Sequence, residues 1–168
     1  MKLPSIIARL GTLLVTVFAV GGCATQANDS RGEICSQIDL FAKSLEPGES
    51  KTVRLARGGA WLVDHYKACA RDSEDTASIA FCKWLMENTS TEFMEANINL
   101  TLSCLQGQEI HGYIGNTGVE SWTGRMKLYY SPRIEVEDVE VEVEYSVGYF
   151  DSTENEDFLA ITVTKDAP

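Results

Sequence analysis

Read along the chain, apolar residues first recur at helical spacing and then, past Glu109, at a spacing of two. From Glu33 the positions Ile34, Ile38, Phe41 and Leu45 fall on one side, and Pro47-Gly48 closes the run; this predicts a helix of about three turns that Ser30 or Asp29 could cap. Val53 and Leu55 alternate with Thr52 and Arg54 across Lys51 to Arg57, and Gly58-Gly59 can turn that strand into a second one from Ala60 to Ala68, with Trp61, Val63 and His65 on one face. A helix from Ala60 to Arg71 is the alternative, because Leu62, Tyr66 and Cys69 also fit helical spacing. Ile79, Cys82 and Met86, with Phe81 and Leu85 beside them, predict a helix with that stripe facing the core. Thr89 stands three residues before Glu92, the spacing of a capping box, so a second helix is expected to start at that corner. It carries Met94, Ile98, Leu102 and Leu105 on one face, flanked by Phe93 and Leu100, and stops near Gln106 because Gly107 can take the left-handed conformation. Trp84, Phe93 and Met94 read as core packing rather than a ligand pocket.

Beyond Glu109 the alternation places Trp122, Gly124, Met126, Leu128 and Tyr130 on one strand face; Ser131-Pro132 breaks the run. Val139, Val141, Val143, Tyr145, Val147 and Tyr149 then alternate strictly, and Val136, out of phase with them, predicts a bulge near Glu137. Ile110 to Ile114 and Phe158 to Lys165 are further strands, the latter after a polar loop from Asp151 to Asp157. The expected fold is α+β, with about three helices stapled by disulfides, followed by an antiparallel sheet of about four strands. A single domain is expected over residues 33–168, with a helical part over 33–107 and a sheet part over 108–168.

The amino end adds an address. Lys2 and Arg9 flank an uncharged stretch whose strongest part is LGTLLVTVFAV, Leu10 to Val20. At eleven residues it suits a secretory signal, residues 1–22, whereas a spanning helix needs about twenty. Val20-Gly21-Gly22-Cys23 resembles the bacterial lipobox. That resemblance implies that Cys23 is diacylated, for example with palmitate, becomes the first residue of the mature chain, and is acylated again on its amino group. Ala24 in the following position leans toward the outer membrane, with the domain facing the periplasm. Residues 23–32 then form a lipidated tether, small and polar from Ala24 on, able to reach about 30 Å when extended.

The whole chain carries a formal net charge of −11; without Lys2 and Arg9 the mature chain has 12 basic against 25 acidic residues, or −13. Such a surface repels nucleic acid and anionic headgroups, so membrane contact is expected through the lipid alone. Four thiols remain after Cys23: Cys35, Cys69, Cys82 and Cys104. An even count in an oxidising compartment favours two disulfides. If the two central helices run antiparallel from a corner near Asn88, Cys82 lies about 9 Å from the corner and Cys104 about 22 Å, so these two should not meet. Cys35 with Cys104 and Cys69 with Cys82 are the expected pairs. With no Cys-x-x-Cys present, a redox oxidoreductase has little support.

Asp138, Glu140, Glu142 and Glu144 lie opposite the valines of the long strand, one every two residues, which makes a carboxylate ladder. It reads either as a solvated face that discourages edge-to-edge aggregation or as a docking face for a basic protein partner. Calcium fits it poorly, since no Gly-turned loop gathers oxygens around one point, and no small-molecule cofactor is expected. His65 and His111 are the only histidines, and the chain has no Gly-x-Ser-x-Gly elbow, no His-Glu-x-x-His helix and no phosphate-binding Gly loop. Glu154 with Glu156 is the kind of acid pair that glycoside chemistry could use, though any acidic protein offers such pairs.

Lys83-Trp84-Leu85, Glu87-Asn88, Ala96, and Leu105 beside Cys104 resemble positions of the Rap1a/Tai family of type VI secretion immunity proteins. Those are small, exported, helical and disulfide-stapled, and neutralise a cell-wall-degrading effector. The chain departs from that pattern in its strand-rich last third and in lacking a proline at Thr89 to Thr91. The resemblance implies a non-enzymatic envelope binding protein. An envelope hydrolase using carboxylates, or a structural lipoprotein, is the alternative class.

Overall fold

The computed structural model describes residues 30–58, 66–107, 121–148 and 157–168. The expected signal, Cys23, the strand at Ile110 to Ile114, Trp61, Val63, both histidines and the Glu154/Glu156 pair lie outside the described residues. In chain order the elements are α1 Ser30–Lys43, β1 Ser50–Gly58, β2 Tyr66–Arg71, α2 Thr76–Asn88, α3 Met94–Gln106, β3 Ser121–Leu128, β4 Val139–Gly148 and β5 Asp157–Lys165.

The class is α+β, with three helices and a sheet of five antiparallel strands among the described residues, in the order β2-β1-β5-β4-β3. The count exceeds the expected four because the β1–β2 hairpin is not a separate feature of the helical part. β1 pairs with β5 along its whole length, so the last strand of the chain becomes the middle of the sheet. The register brings Val53 and Val143 to either side of Ile161, and Val141 beside Val163. All of these side chains are buried. Because side chains alternate with a period of two, one register fixes the whole apolar face. Helices α1, α2 and α3 supply Ile34, Ile38, Phe41, Phe81, Leu85, Met94, Ile98 and Leu105 against it, and Phe41 meets Phe81 with ring centroids 5.1 Å apart. Each such side chain stabilises the fold by roughly 1.5–3 kcal/mol when taken out of water.

Two disulfides hold the helices to one another and to the sheet. Cys35 joins Cys104, tying α1 to α3, and Cys69 joins Cys82, tying β2 to α2. With sequence separations of 69 and 13, loop-closure entropy makes them worth about 4 and about 3 kcal/mol respectively.

Several local expectations give way to tertiary contacts. Among the described residues the hairpin's second strand is Tyr66–Arg71, which runs past the expected end at Ala68, while 60–65 lie outside the described residues; residues 66–71 are not helical, since Cys69 pairs with Leu55 and is disulfide-bonded to Cys82. The buried stripe of α2 is Ser78, Phe81, Cys82 and Leu85, while Ile79 and Met86 are 44% and 38% exposed. Docking the helix on the hairpin through Cys82 rotates it away from the stripe its outer apolar residues suggested. Asp75 caps this helix, accepting from the amides of Ala77 and Ser78 at 2.8 and 3.0 Å.

At the corner, Thr89 does not open a helix. It ends α2, its hydroxyl donating back to the Leu85 carbonyl, and α3 begins only at Met94. The turn is held instead by Asn97, 2% exposed, whose amide donates to the Ser90 carbonyl and accepts from the Ser90 amide, both at 2.8 Å. A buried side-chain amide thus takes the place of a backbone partner, satisfying groups that would otherwise be costly to bury. Phe93, expected in the core, is half exposed, whereas Met94 is buried. Lys67 of β2 donates to the carbonyls of Leu85 and Thr89, and Arg57 of β1 donates to the Glu92 carbonyl while pairing with Asp157 at 2.5 Å. These cations tie the corner to the sheet. Gly107 has the expected positive φ, 68°, and a Cβ there would come within 2.9 Å of Pro132.

Candidate functional site

Glu140, Glu142 and Glu144 do share the face of β4 opposite the buried valines. They are not free there. Arg125 and Lys127 of β3 stand across from them: Arg125 pairs with Glu142 at 3.0 Å and with Glu144 at 3.2 Å, and Lys127 pairs with Glu140 at 2.7 Å. The hydrogen bond to Glu140 holds the Lys127 ammonium above the ordinary lysine range. Three carboxylates face two cations, and Glu140 and Glu142 keep only 16% and 25% of their side-chain surface exposed. Much of the ladder's charge is answered within the sheet itself.

Asp138 is separate from the three. It precedes β4 at φ 56°, a left-handed conformation that Asp tolerates better than most residues, and its carbonyl accepts the Asp166 amide at 2.8 Å. The phase difference between Val136 and Val139 is therefore taken up by this loop residue, with β4 starting at Val139, and not by a bulge inside the strand. β3 likewise ends at Leu128, so Tyr130, expected on its inner face, stands outside the strand and is exposed.

The segment between the two strands, residues 129–138, borders a groove of about 390 Å³. Its lining combines apolar side chains, Leu128, Ile134, Val136 and Val141, with Tyr129 and Tyr130 and with the acids Glu135, Glu137 and Asp138. Tyr129 and Tyr130 are 73% and 79% exposed. Lys127 lies 5.7 Å from the Tyr129 ring centroid, within reach of a cation–π attraction.

This loop is fastened at three places. Ser131, buried, donates its hydroxyl to the Leu105 carbonyl at 2.8 Å, capping the end of α3, and accepts the Ile134 and Arg133 amides on its carbonyl and hydroxyl. Asp39 of α1, also buried, accepts the Glu135 amide at 2.8 Å and pairs with Lys43, which reaches on to the Glu135 carboxylate at 3.2 Å. The Asp39 and Glu135 hydrogen bonds raise the pKa of Lys43. The third fastening is the Asp138 carbonyl. Glu137 and Asp138 have no ion-pair partner among the described residues, in contrast to Glu140, Glu142 and Glu144.

The loop was not singled out by the sequence pattern. The available signal was Tyr129-Tyr130 placed directly before the Ser131-Pro132 break, where strand side chains lose their inward face.

No group of three or more His, Cys, Asp or Glu side chains among the described residues is arranged to hold a metal ion, and no described helix is long and apolar enough to cross a membrane. Compared with known proteins, the chain matches no family model, no curated protein and no solved structure.

Proposed function

We propose that this is a small lipoprotein of the bacterial envelope that binds a basic protein partner without catalysing a reaction, in the manner of an immunity protein that neutralises a periplasmic effector. The groove at residues 128–141 is its docking point. One observation carries this reading: a loop fastened at three places presents two exposed tyrosines beside Glu137 and Asp138, acids that no cation answers among the described residues. Loops held on a scaffold are where binding residues concentrate, and holding them in place beforehand lowers the entropy lost on association. The mature chain's net charge of −13 raises the rate of encounter with a cationic protein, and the paired ladder on β4 contributes to that field without being the contact point.

The lipid anchor at Cys23 rests on the signal-like amino end. Metabolic labelling with a palmitate analogue should mark the wild-type chain and not Cys23→Ser; equal labelling of both removes the anchor. For the docking point, the partner is captured from envelope extract on the chain, and amide hydrogen exchange is measured with and without it. Slowed exchange over residues 129–138 is expected. Protection confined to the corner at Asn88 to Phe93, with none at 129–138, would place docking at the other end of the molecule.

A further inference from the structure

An aromatic ring left in water contributes nothing to the core, and two adjacent ones on an anchored loop are a large apolar area waiting to be covered. Tyr129 and Tyr130 are such a pair. The chain shows what suits the first ring, because its own Lys127 sits over Tyr129. No cation stands over Tyr130 among the described residues, although Tyr130 borders the same groove as Glu137 and Asp138. Arg133, in the same loop, does not line the groove.

These surroundings ask for an occupant with an apolar stem, to lie over Leu128, Ile134 and Val136, and a flat cationic head. A guanidinium stacks on an aromatic face and donates paired hydrogen bonds to a carboxylate at the same time. An ammonium is a compact and strongly hydrated charge that forfeits the stacking. At about 390 Å³ the groove is near the lower end of ligand-pocket sizes, so it takes an inserted side chain with its flanking backbone. Resting on the reading that a basic protein docks here, we propose that the groove receives an arginine side chain of that partner, its guanidinium stacked on Tyr130 and hydrogen-bonded to Glu137 and Asp138.

The probe is the peptide acetyl-Gly-Arg-Gly-amide, titrated into the full chain in detergent with the tyrosine ring resonances as readout, beside its lysine and citrulline counterparts. Citrulline keeps the shape of arginine and removes its charge. The arginine peptide should bind about tenfold or more tightly than the citrulline peptide, and more tightly than the lysine peptide. Tyr130→Ala should abolish the advantage over lysine, and Glu137→Gln with Asp138→Asn the advantage over citrulline. The side chain at 130 is exposed, so an unchanged thermal transition is expected for Tyr130→Ala. Equal binding of arginine and citrulline peptides, equal binding of arginine and lysine peptides, or full binding to Tyr130→Ala each overturns the assignment. If the arginine preference is absent while a captured partner still protects 129–138, the arginine assignment fails and the docking reading stands. If the arginine peptide binds as described but the partner leaves 129–138 unprotected, the docking reading fails alone.

Discussion

Single residues decide how this chain turns its corners, and Asp75 is the clearest case. Its carboxylate accepts from the hydroxyls of Ser73 and Ser78 at 2.6 and 2.8 Å and from the Ala77 and Ser78 amides, and it lies 3.3 Å from the buried Lys51. The Ser73 hydrogen bond is the largest influence. Together with those from Ser78 and Ala77 it outweighs the cost of desolvation and holds the carboxyl well below the usual carboxylate range. For Lys51, burial acts to lower the pKa, but Glu49 and Asp75 reverse that and raise it. A carboxyl whose pKa is depressed by folding contributes stability that is complete above its unfolded value, about 4, and is lost as pH falls through the folded one. Asn caps a helix as well as Asp, so Asp75→Asn isolates the charge; exchanging charge-assisted for neutral hydrogen bonds should cost on the order of 1 to 2 kcal/mol at pH 7. The difference from wild type should shrink below about pH 4. Denaturant titrations at pH 7, 4 and 2 measure it, and a difference that stays constant down to pH 2 contradicts the role of the charge. Neither Asp75 nor Asn97 was legible in the sequence. The Thr89–Glu92 spacing matched a helix start, but a hydroxyl there can equally donate back into the preceding turn, and only the buried Asn97 amide decides which turn forms.

At the level of elements, long runs with one period were readable and their orientation was not. The alternation in Val139–Gly148 marked the strand with nearly the observed ends, and the helical spacing in Met94–Gln106 marked the helix and its end at Gln106 but not its start, because nothing else buries those residues in that order. For the disulfides, the fixed rise of a helix per residue separates Cys82 from Cys104 and so removes one of the three possible connectivities; it does not choose between the other two. The face of α2 was not legible. Ile79 and Met86 are apolar yet exposed, and the choice of Ser78 for the core depends on Asp75 accepting its hydroxyl. Strand ends failed for the same reason. Tyr130 continues the alternation of β3, but Ser131 turns the chain to cap α3, so the tyrosine leaves the sheet and becomes part of a surface.

For the whole molecule, the pairing of β1 with β5 joins segments separated by most of the chain and has no local signature, so the alternation in β1 carries no sign that it belongs to the same sheet as β3, β4 and β5. That same sheet sets the two acidic features apart. Glu140, Glu142 and Glu144 lie within reach of Arg125 and Lys127 across the strand pair, while Glu137 and Asp138, just before the strand, lie beyond them. Glu137 and Asp138 therefore leave the groove with carboxylates that no described cation pairs, and the proposed docking there is tested most directly by association rates. With the captured partner, rates are measured at low and at physiological ionic strength for wild type, for Glu137→Gln with Asp138→Asn, and for Glu140→Gln with Glu142→Gln and Glu144→Gln. Loss of the groove acids should slow association and flatten its salt dependence, and loss of the ladder acids, which also frees Arg125 and Lys127, should do so less per charge removed. Association that is unchanged by the groove substitutions at low salt, but slowed by those in the ladder, would contradict docking at the groove and return it to the face of β4.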